Sequence, residues 1–472
     1  MVGRKAGKGM TMHNKMMLKL GICLCLAVSP AFAAETGPCG YDVRAFGAVA
    51  DGATLDTPAI QAAIDACAAA GGGVVRVPPG RYLTGTVFLK SGVTLHLESG
   101  VTLLGSTNLD DYPARTVAYR SYTDRYTDRA LLFAEDQEGV AVTGGGVIDG
   151  QGAAFSGEYK KRPYMLRFVS CRDVALEDVG LRDGAMWTVH FLACEGVRVS
   201  GVVIRSRCNK NNDGLDIDSS ANVVISNCDI SSGDDAIVLK STSAQPCRNV
   251  VVTNCVLSTA CNALKMGTES NGGFQNIAIS NCAIYDTRLS GLALEIVDGG
   301  VMDGVVVSNL AMQNVGCPIF IRLGNRARPF IDGGEKPGVG ALRNVSISHI
   351  RATGADQTGC AIAGLPGHPV ENVSISDVRL DFAGGGTAED AARVPPKQEA
   401  EYPEYKMFGV LPAYGFYCRH ARGLAFNDIA VTTMTPDARP AFVCDDVADL
   451  HVSHLTGNGT SAEPVMGGPT RK

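Results

Sequence analysis

The stretch NVVISN at 222–227 recurs as NVVVTN at 249–254 and as NIAISN at 276–281. Its apolar residues alternate with polar ones, which predicts a β-strand with one buried face. From Gly196 to Gly304, successive copies begin 26, 27, 27 and 28 residues apart. A strand repeated at this period predicts a solenoid in which each coil buries its apolar face against its neighbours. The copies begin at Gly139, Asp173, Gly196, Asn222, Asn249, Asn276, Gly304, Asn344, Asn372, Gly423 and Asp449.

A second strand is predicted in each coil, with apolar first and third residues and variable second and fourth residues. Its copies are LDID at 215–218, IVLK at 237–240, LKMG at 264–267, LALE at 292–295 and IFIR at 319–322. The variable residues point outward and form columns, because stacked strands lie about 4.8 Å apart. The second residues of the strands form one predicted column, Asp216, Val238, Lys265, Ala293 and Phe320. The fourth residues form another, Asp218, Lys240, Gly267, Glu295 and Arg322. A third column lies two residues before each strand and contains Asp213, Asp235, Asn262 and Ser290. Coils of three short strands predict an all-β fold, a right-handed parallel β-helix.

The N-terminal 1–33 segment has the pattern of a secretory signal peptide. It contains five basic residues and no acidic one, an apolar run, and a small-residue cleavage site at Ala31-Phe32-Ala33. We therefore expect a secreted or periplasmic protein. Residues 34–456 are predicted to form a single parallel β-helix catalytic domain, and 457–472 a flexible tail.

A solenoid needs its ends covered, and the segment 57–70 predicts an amphipathic helix that caps the first coil. Thr57 is expected as its N-cap, with Pro58 at the first helical position. Two long segments, 324–341 and 384–416, interrupt the repeat. Long ordered loops on a solenoid commonly border its cleft, so we expect these insertions to do so.

Composition excludes several classes of partner. Loss of the signal peptide moves the formal net charge from −6 to −11, because five basic residues leave with it. A chain this acidic is not expected to bind nucleic acid, and its mature part has no apolar stretch long enough to cross a membrane. Cys228, Cys255 and Cys282 share one repeat position and are expected as stacked core residues. A bridge between Cys39 and Cys67 is the more plausible disulfide.

Three aspartates are predicted to meet on one face of the solenoid. Asp213 and Asp235 each stand two residues before a strand in adjacent coils, and Asp234 lies beside them. Clustered carboxylates repel one another and shift their pKa values apart, which is typical of catalytic sites. Glycoside hydrolysis requires such a group, with one protonated carboxyl as acid and one ionised carboxylate as base. The alternative is that these residues only cap turns.

Four motifs in the chain resemble those of glycoside hydrolase family 28, the polygalacturonase and rhamnogalacturonase family. They are FGAVADG at 46–52, GVIDGQG at 146–152, NNDG at 211–214 and GDD at 233–235. The resemblance covers about 40–455 of the chain. It implies a right-handed parallel β-helix and an inverting hydrolysis of pectic polysaccharide. It also implies that Asp234 is the general acid and that Asp213 and Asp235 activate the water.

The chain departs from the family pattern at two places. The family's Gly-His-Gly corresponds to Cys261-Asn262-Ala263, and its Arg-Ile-Lys corresponds to Ala293-Leu294-Glu295. The resemblance implies that the missing basic residues hold a galacturonate carboxylate near the cleavage point. The sugar that this chain accepts is therefore left open between a uronate held in another way and a rhamnose-containing or neutral-sugar linkage.

Other residues could replace the missing contacts to substrate. Lys265, Lys240 and Arg322 share the outward face with Asn262 and are candidate substrate-binding residues. The alternative is that Lys240 pairs with Asp218, and Arg322 with Glu295, as weak surface ion pairs.

Two aromatic residues and the second insertion complete the set of candidates. Trp187, the only tryptophan, and His190 lie one coil before Asp213 and could line a sugar subsite; a structural role is the alternative. The second insertion could fold over the cleft and close one end, which would favour exo action.

The sequence thus predicts a monomeric, secreted, polygalacturonase-like hydrolase that acts on pectic polysaccharide or oligosaccharide and uses no cofactor or metal. One alternative is a pectate-lyase-like eliminase, in which the aspartates would bind Ca²⁺. Another is a non-catalytic glycan-binding β-helix, suggested by the missing family His, Arg and Lys.

Overall fold

The computed structural model describes residues 40–467, and over that range the chain forms a right-handed parallel β-helix. The predicted signal peptide and Cys39 lie outside the described residues. The N-terminal strands β1 to β10 are Tyr41–Asp42, Asp51–Leu55, Gly73–Val77, Gly80–Thr84, Val87–Phe88, Val93–Leu97, Val101–Gly105, Ala130–Glu135, Ala141–Thr143 and Val147–Asp149. The central strands β11 to β23 are Tyr164–Val169, Arg172–Glu177, Gly180–Arg182, Val189–Leu192, Glu195–Ser200, Val203–Ser206, Leu215–Asp218, Ala221–Ser226, Asp229–Ser232, Ile237–Ser241, Cys247–Thr253, Val256–Thr259 and Leu264–Ser270. The last strands, β24 to β33, are Gly273–Ile296, Val301–Leu323, Ala341–Ala355, Cys360–Ala363, Val370–Phe382, Phe416–Thr433, Phe442–Ala448, His451–Gly457, Thr460–Ser461 and Val465–Met466.

The first residue of each repeat is where the backbone takes a left-handed conformation. All eleven positions found in the sequence have φ between +52° and +73°. Only Gly, Asn and Asp adopt this conformation readily, which explains why the repeat begins with one of them. On the outer surface the amides of Asn222, Asn249 and Asn276 form a ladder, in which Asn249 Nδ2 donates to Asn222 Oδ1 and Asn276 Nδ2 donates to Asn249 Oδ1, both at 2.9 Å.

The sheet that carries the aspartates has the predicted register. Strand β17 pairs in parallel with β20, so that Asp216 is opposite Val238 and Asp218 is opposite Lys240. The next coils continue both columns through Lys265, Ala293, Phe320 and through Glu295, Arg322. Backbone hydrogen bonds also stack the turn residues, because Gly214 N donates to Asp235 O and Ala236 N donates to Asn262 O, both at 2.9 Å. The columns of Asp213 and of Asp216 are therefore confirmed, whereas the column of Asp218 is interrupted at Gly267, because the register shifts after Leu239.

A helix covers the first coil, as predicted. Helix α1, Thr57–Ala69, packs Ile60, Ile64 and Cys67 against the core. Its N-cap is Asp56 rather than Thr57, which corrects the predicted cap. Asp56 accepts from the backbone N–H groups of the incoming loop, and the Thr57 hydroxyl accepts from the N–H of Gly85. A second helix, α2, spans Ala388–Ala391.

The C-terminal segment contains more structure than expected. Strand β32 pairs antiparallel with β31, and β33 pairs in parallel with β30. The tail predicted at 457–472 is therefore not irregular over its first part, because it extends the last coil. Only 468–472 lie outside the described residues at this end.

The three repeat cysteines lie in the core without bridges. Cys228, Cys255 and Cys282 are buried and free, and each Sγ donates at 3.3 Å to a backbone carbonyl two residues earlier. The predicted stack is confirmed. Cys67 is buried in the cap, and its pairing with Cys39 stays a prediction.

Three loops rise over the aspartate-bearing sheet: the first loop (106–129), the second loop (324–340) and the third loop (383–415). The first two contact each other. Arg125 lies 2.5 Å from Asp332, and Arg328 Nη1 donates to the Tyr122 hydroxyl at 2.7 Å. The insertions predicted at 324–341 and 384–416 thus border a cleft. Among the described residues, no helix has the length and apolarity to cross a membrane.

Candidate active site

The three predicted catalytic aspartates line one cavity of about 310 Å³. Asp213 and Asp235 lie in the turns that precede β17 and β20, and Asp234 is the residue before Asp235. The turn geometry is fixed from below by Asn212, whose Nδ2 donates to the carbonyl of Gly184 at 2.6 Å. The stacked coils therefore bring together groups that are about one strand spacing apart along the axis.

Asp235 is held as an anion. Its carboxylate accepts from the backbone N and from Nδ2 of Asn262, at 3.1 and 2.9 Å, and lies 3.3 Å from Lys265 Nζ. Burial acts to raise the pKa of Asp235, but Lys265, Lys240 and the Asn262 amide outweigh it and lower the pKa. An ionised carboxylate in this position can accept a proton.

Asp234 has the opposite character. Burial and the nearby charge on Asp235 raise its pKa, and only weaker contacts, among them Cys261, act to lower it. Its carbonyl accepts from the hydroxyls of Ser232 and Thr259, which fix the backbone beneath it. The two adjacent aspartates thus have pKa values shifted in opposite directions, as an acid and base pair requires.

The pKa of Asp213 is shifted in the direction opposite to that of Asp235. Burial, followed by the charges of Asp216 and Asp234, raises its pKa well above the usual range. Lys240 Nζ lies 3.6 Å from both Asp213 and Asp216, and this attraction is not enough to reverse the shift. The pair expected from the resemblance is therefore unequal: the pKa of Asp235 is lowered, and the pKa of Asp213 is raised.

Lys240 and Trp187 are the two predicted substrate-binding residues that line the cavity. The ammonium of Lys240 lies 4.7 Å from the centre of the Trp187 ring and 3.6 Å from Glu269. Burial acts to lower the pKa of Lys240, but Glu269, Asp213 and Asp216 hold it well above its ordinary value. The predicted pairing of Lys240 with Asp218 is wrong. Asp218 instead accepts from the Thr242 hydroxyl and contacts His190.

Asn262 and Lys265 contact the catalytic aspartate rather than the open cavity. Both are buried, and Asn262 Oδ1 accepts from the backbone N–H of Ser290 at 3.0 Å, so its amide has no free side. Lys265 also lies 3.7 Å from Glu295, and its Nζ donates to the Tyr402 hydroxyl at 3.3 Å. Both side chains thus hold and charge Asp235, and their contact with substrate stays a prediction.

His190 and Arg322 lie away from the cavity. His190 is fully buried beside Asp218, and burial lowers its pKa to about 4 despite that partner. Arg322 donates to three backbone carbonyls, those of Gly364, Lys397 and Gln398, and so anchors the third loop. Neither side chain lines the cavity, and the alternative ion pair between Arg322 and Glu295 does not form, because Glu295 lies beside Lys265.

The sequence reasoning missed a second group of charges at the cavity. Glu269 and Arg328 line it, and Arg328 Nη2 donates to Glu269 Oε1 at 2.5 Å. Arg326, on the same loop, forms a two-point contact with buried Asp298. In the sequence, the one indication that these arginines lie at the site was their position in an insertion predicted to border the cleft. Tyr126, Tyr159 and Tyr402 complete the aromatic part of the wall.

One group of side chains has the spacing of metal ligands. Asp234, Asp235 and Cys261 each place a ligand atom within 4.8 Å of the others. Burial and the two aspartates raise the pKa of the Cys261 thiol far above its ordinary value. Ca²⁺ prefers six to eight oxygen ligands, and a protonated thiol beside two buried ammonium groups does not offer them. The donor set thus does not fit a calcium site.

Comparison with known proteins agrees with this geometry. A sequence model of the glycosyl hydrolases family 28 matches residues 67–400. The chain belongs to this family. Over 250 residues, an exo-poly-alpha-D-galacturonosidase of Dickeya chrysanthemi is 33% identical, covering 42% of this chain and 41% of the relative. A probable polygalacturonase of Vitis vinifera is 33% identical over 213 residues, covering 42% and 43%.

Solved structures of family 28 share the fold. A hyperthermoactive exopolygalacturonase from Thermotoga maritima is similar with a TM-score of 0.62, covering 72% of this chain and 86% of that one at 24% identity. The chain spans about two fifths of the length of the curated relatives it matches.

Proposed function

We propose that this protein hydrolyses glycosidic bonds of a pectic polysaccharide, using Asp234 as general acid and Asp235 as base. The observation that carries the proposal is the opposite shift of two adjacent carboxyl pKa values inside one cavity. Family 28 membership and the polygalacturonase relatives support the substrate class.

The reaction is a single displacement in this scheme. Asp234 gives its proton to the leaving glycosidic oxygen while Asp235 takes a proton from the attacking water. Asp213 orients that water. Because the acid must be protonated while Asp235 is ionised, activity should peak on the acid side of neutrality.

Inversion of the anomeric centre is proposed from the family resemblance. The nearest oxygens of Asp234 and Asp235 lie within 4.8 Å. This is closer than the about 6.5–9.5 Å between carboxyl groups of typical inverting glycosidases. The carboxylate spacing alone therefore does not support inversion, and NMR of the freshly released anomer is the test. A product of retained configuration would contradict it.

The loops around the cavity support exo action. On one side, third-loop residues reach the coil: Glu404 accepts from Asn262 Nδ2 at 3.4 Å, and Tyr402 contacts Lys265. On the other side, the rings of Tyr126 and Tyr159 lie 4.6 Å apart and form a wall. A groove that is blocked at one end accepts the end of a polymer and not its middle, and either group of residues could form that block.

Product analysis tests the proposal. The mature protein and its Asp234→Asn variant are incubated with polygalacturonate and with rhamnogalacturonan oligomers, and products are identified by mass spectrometry. We expect saturated, end-derived products from the unaltered protein and a loss of at least about 10³-fold in the variant, because protonation of the leaving group is removed. Unsaturated products that require Ca²⁺ would indicate an eliminase instead. Binding without any product would indicate a glycan-binding protein.

We further propose that the protein acts as a monomer outside the cytoplasm, in the periplasm or the medium. The predicted signal peptide at 1–33 supports this, and N-terminal sequencing of the exported protein is the test. A mature N-terminus after Ala33 is expected, and retention of 1–33 in an unexported protein would contradict it.

A further inference from the structure

A second cavity, of about 220 Å³, lies against the first loop on the N-terminal side of the active site. We call it the basic cavity, because its lining includes four cationic side chains, those of Arg115, Arg120, Lys160 and Arg167. It belongs to the same outward face as the aspartates. Arg167 of β11 pairs in register with His190, which pairs with Asp216, so the cavity lies two coils before the catalytic strand.

The charges of the basic cavity do not balance. Arg120 pairs with Asp124 at 2.6 Å, and Lys160 lies 4.0 Å from Asp128. Arg115 and Arg167 have no carboxylate within ion-pair distance among residues 40–467. The exposed guanidinium of Arg115 packs on the ring of Phe88, at 4.7 Å, and also borders a neighbouring cavity that Asp65 and Glu135 line. Arg115 and Arg167 thus have no ion-pair partner within the described part of the chain, although the carboxylates of Asp124 and Asp128 also line the basic cavity.

Arg167 is more unusual than Arg115, because the Arg167 residue is buried and only 3% exposed. Its Nη1 and Nη2 donate to the Thr127 carbonyl and the Thr123 hydroxyl at 3.2 and 3.3 Å, both long contacts. Its Nε has no acceptor. Buried cations in proteins are almost always paired, because a buried cation loses its hydration and needs an anion to offset that cost. An anion from outside would supply the missing partner.

A buried arginine can also serve only as an anchor, and Arg322 shows what that looks like. It donates to three carbonyls of the surrounding loops, and the space beside it is about 10 Å³, no more than a water molecule fills. Arg167 donates two longer hydrogen bonds and packs on the Tyr164 ring at 4.7 Å, and its Nε, like that of Arg322, has no acceptor among the described residues. What distinguishes Arg167 is that it borders a space more than twenty times larger. Loop anchoring therefore does not account for the basic cavity.

The basic cavity and the catalytic cavity share a wall. Tyr126 and Tyr159 line the catalytic side, and the next residue of each segment, Thr127 and Lys160, lines the basic side. A polymer whose end occupies the catalytic cavity cannot pass through this wall. A different chain, or a distant part of the same chain, would occupy the basic cavity.

We propose that the basic cavity is a non-catalytic binding site for a carboxylate-bearing sugar, with Arg167 as the buried contact and Arg115 as the exposed one. The identity of the sugar as a uronate of the substrate polysaccharide rests on the proposed function; the need for an anion does not. Such a site raises the local concentration of polymer at the catalytic cavity.

The test is calorimetric titration of the mature Asp234→Asn protein with a galacturonate trimer. Two binding events are expected. Adding Arg115→Gln should weaken one of them about tenfold, the loss of one charged hydrogen bond, and leave the other unchanged. Arg198→Gln is the matched control, because Arg198 is an exposed arginine paired with Glu177 on another sheet. It should change neither event.

Several outcomes would overturn the proposal. A single binding event, or two events that Arg115→Gln leaves unaltered, would remove the site. Inorganic phosphate that binds the basic cavity as tightly as the trimer would reduce it to a small-anion site. In hydrolysis by the otherwise unaltered protein, Arg115→Gln should raise KM for the polymer and leave kcat on the trimer unchanged. If the protein binds twice but hydrolyses nothing, the proposed function fails and this inference stands.

Discussion

Replacement of Lys265 by methionine tests the electrostatic basis of the site. Lys265 Nζ lies 3.3 Å from Asp235, and both side chains are almost fully buried. At an effective dielectric constant of about 20, this separation corresponds to an attraction of about 5 kcal/mol, an upper limit. Lys240 and the Asn262 amide remain in the variant. We therefore expect the pKa of Asp235 to rise by about 1–3, the usual effect of one neighbouring charge.

The assay is the pH dependence of kcat/KM on galacturonate oligomers. Asp235 must be ionised to act as base, and Lys265 lowers its pKa, so Lys265→Met should move the acid limb to higher pH. At a fixed pH below the new pKa, kcat/KM should fall about tenfold for every pH unit that the limb moves. Lys265→Arg keeps the charge and should keep the limb. A uniform loss of activity at every pH, with the acid limb unmoved, would refute the assignment of Asp235 as base.

Three further predictions concern residues that surround the same cluster of charges. Burial raises the pKa of Glu295 from 4.5 to about 8, so the folded protein keeps a proton that the unfolded chain loses, and stability should fall as pH rises between these values. Glu295→Gln should remove that decline in urea unfolding, and an unchanged slope would contradict it. Asn262→Ala removes a 2.9 Å hydrogen bond to Asp235 and should move the acid limb of kcat/KM to a pH about one unit higher; a fixed limb would count against a positioning role. Arg328→Gln should raise KM about tenfold for galacturonate oligomers and leave KM for methyl-esterified ones unchanged, and equal effects on both would exclude carboxylate recognition.

The columns of the solenoid could be predicted because two local features fix the register. The period of about 27 residues sets which strands stack, and a Gly, Asn or Asp in left-handed conformation marks the same corner in each coil. Given that register, Asp213 and Asp235 had to be neighbours. The same reasoning predicted the buried cysteine stack, whereas the capping helix was predicted from its amphipathic pattern and from Pro58 at its first turn.

What the sequence could not supply was the direction of contacts made by side chains and loops. Asn262 and Lys265 lie on the predicted face, but both are buried and contact Asp235. Arg328 and Tyr122 are 206 residues apart, and no periodic pattern relates the loops that carry them. A loop is not bound to the solenoid's register, so its contacts depend on tertiary packing alone.

These loop contacts bear on how the site handles charge. At the coil positions where the family carries Arg and Lys, this chain has Ala293, which is buried, and Glu295, which carries a proton near neutral pH. The second loop supplies two positive charges near these positions, because Arg326 and Arg328 both lie close to Glu269 Oε1. Their charges, with that of Lys240, lower the pKa of Glu269 far below its ordinary value. Since Arg328 is 29% exposed and lines the cavity, it is the cation there that a substrate carboxylate can reach.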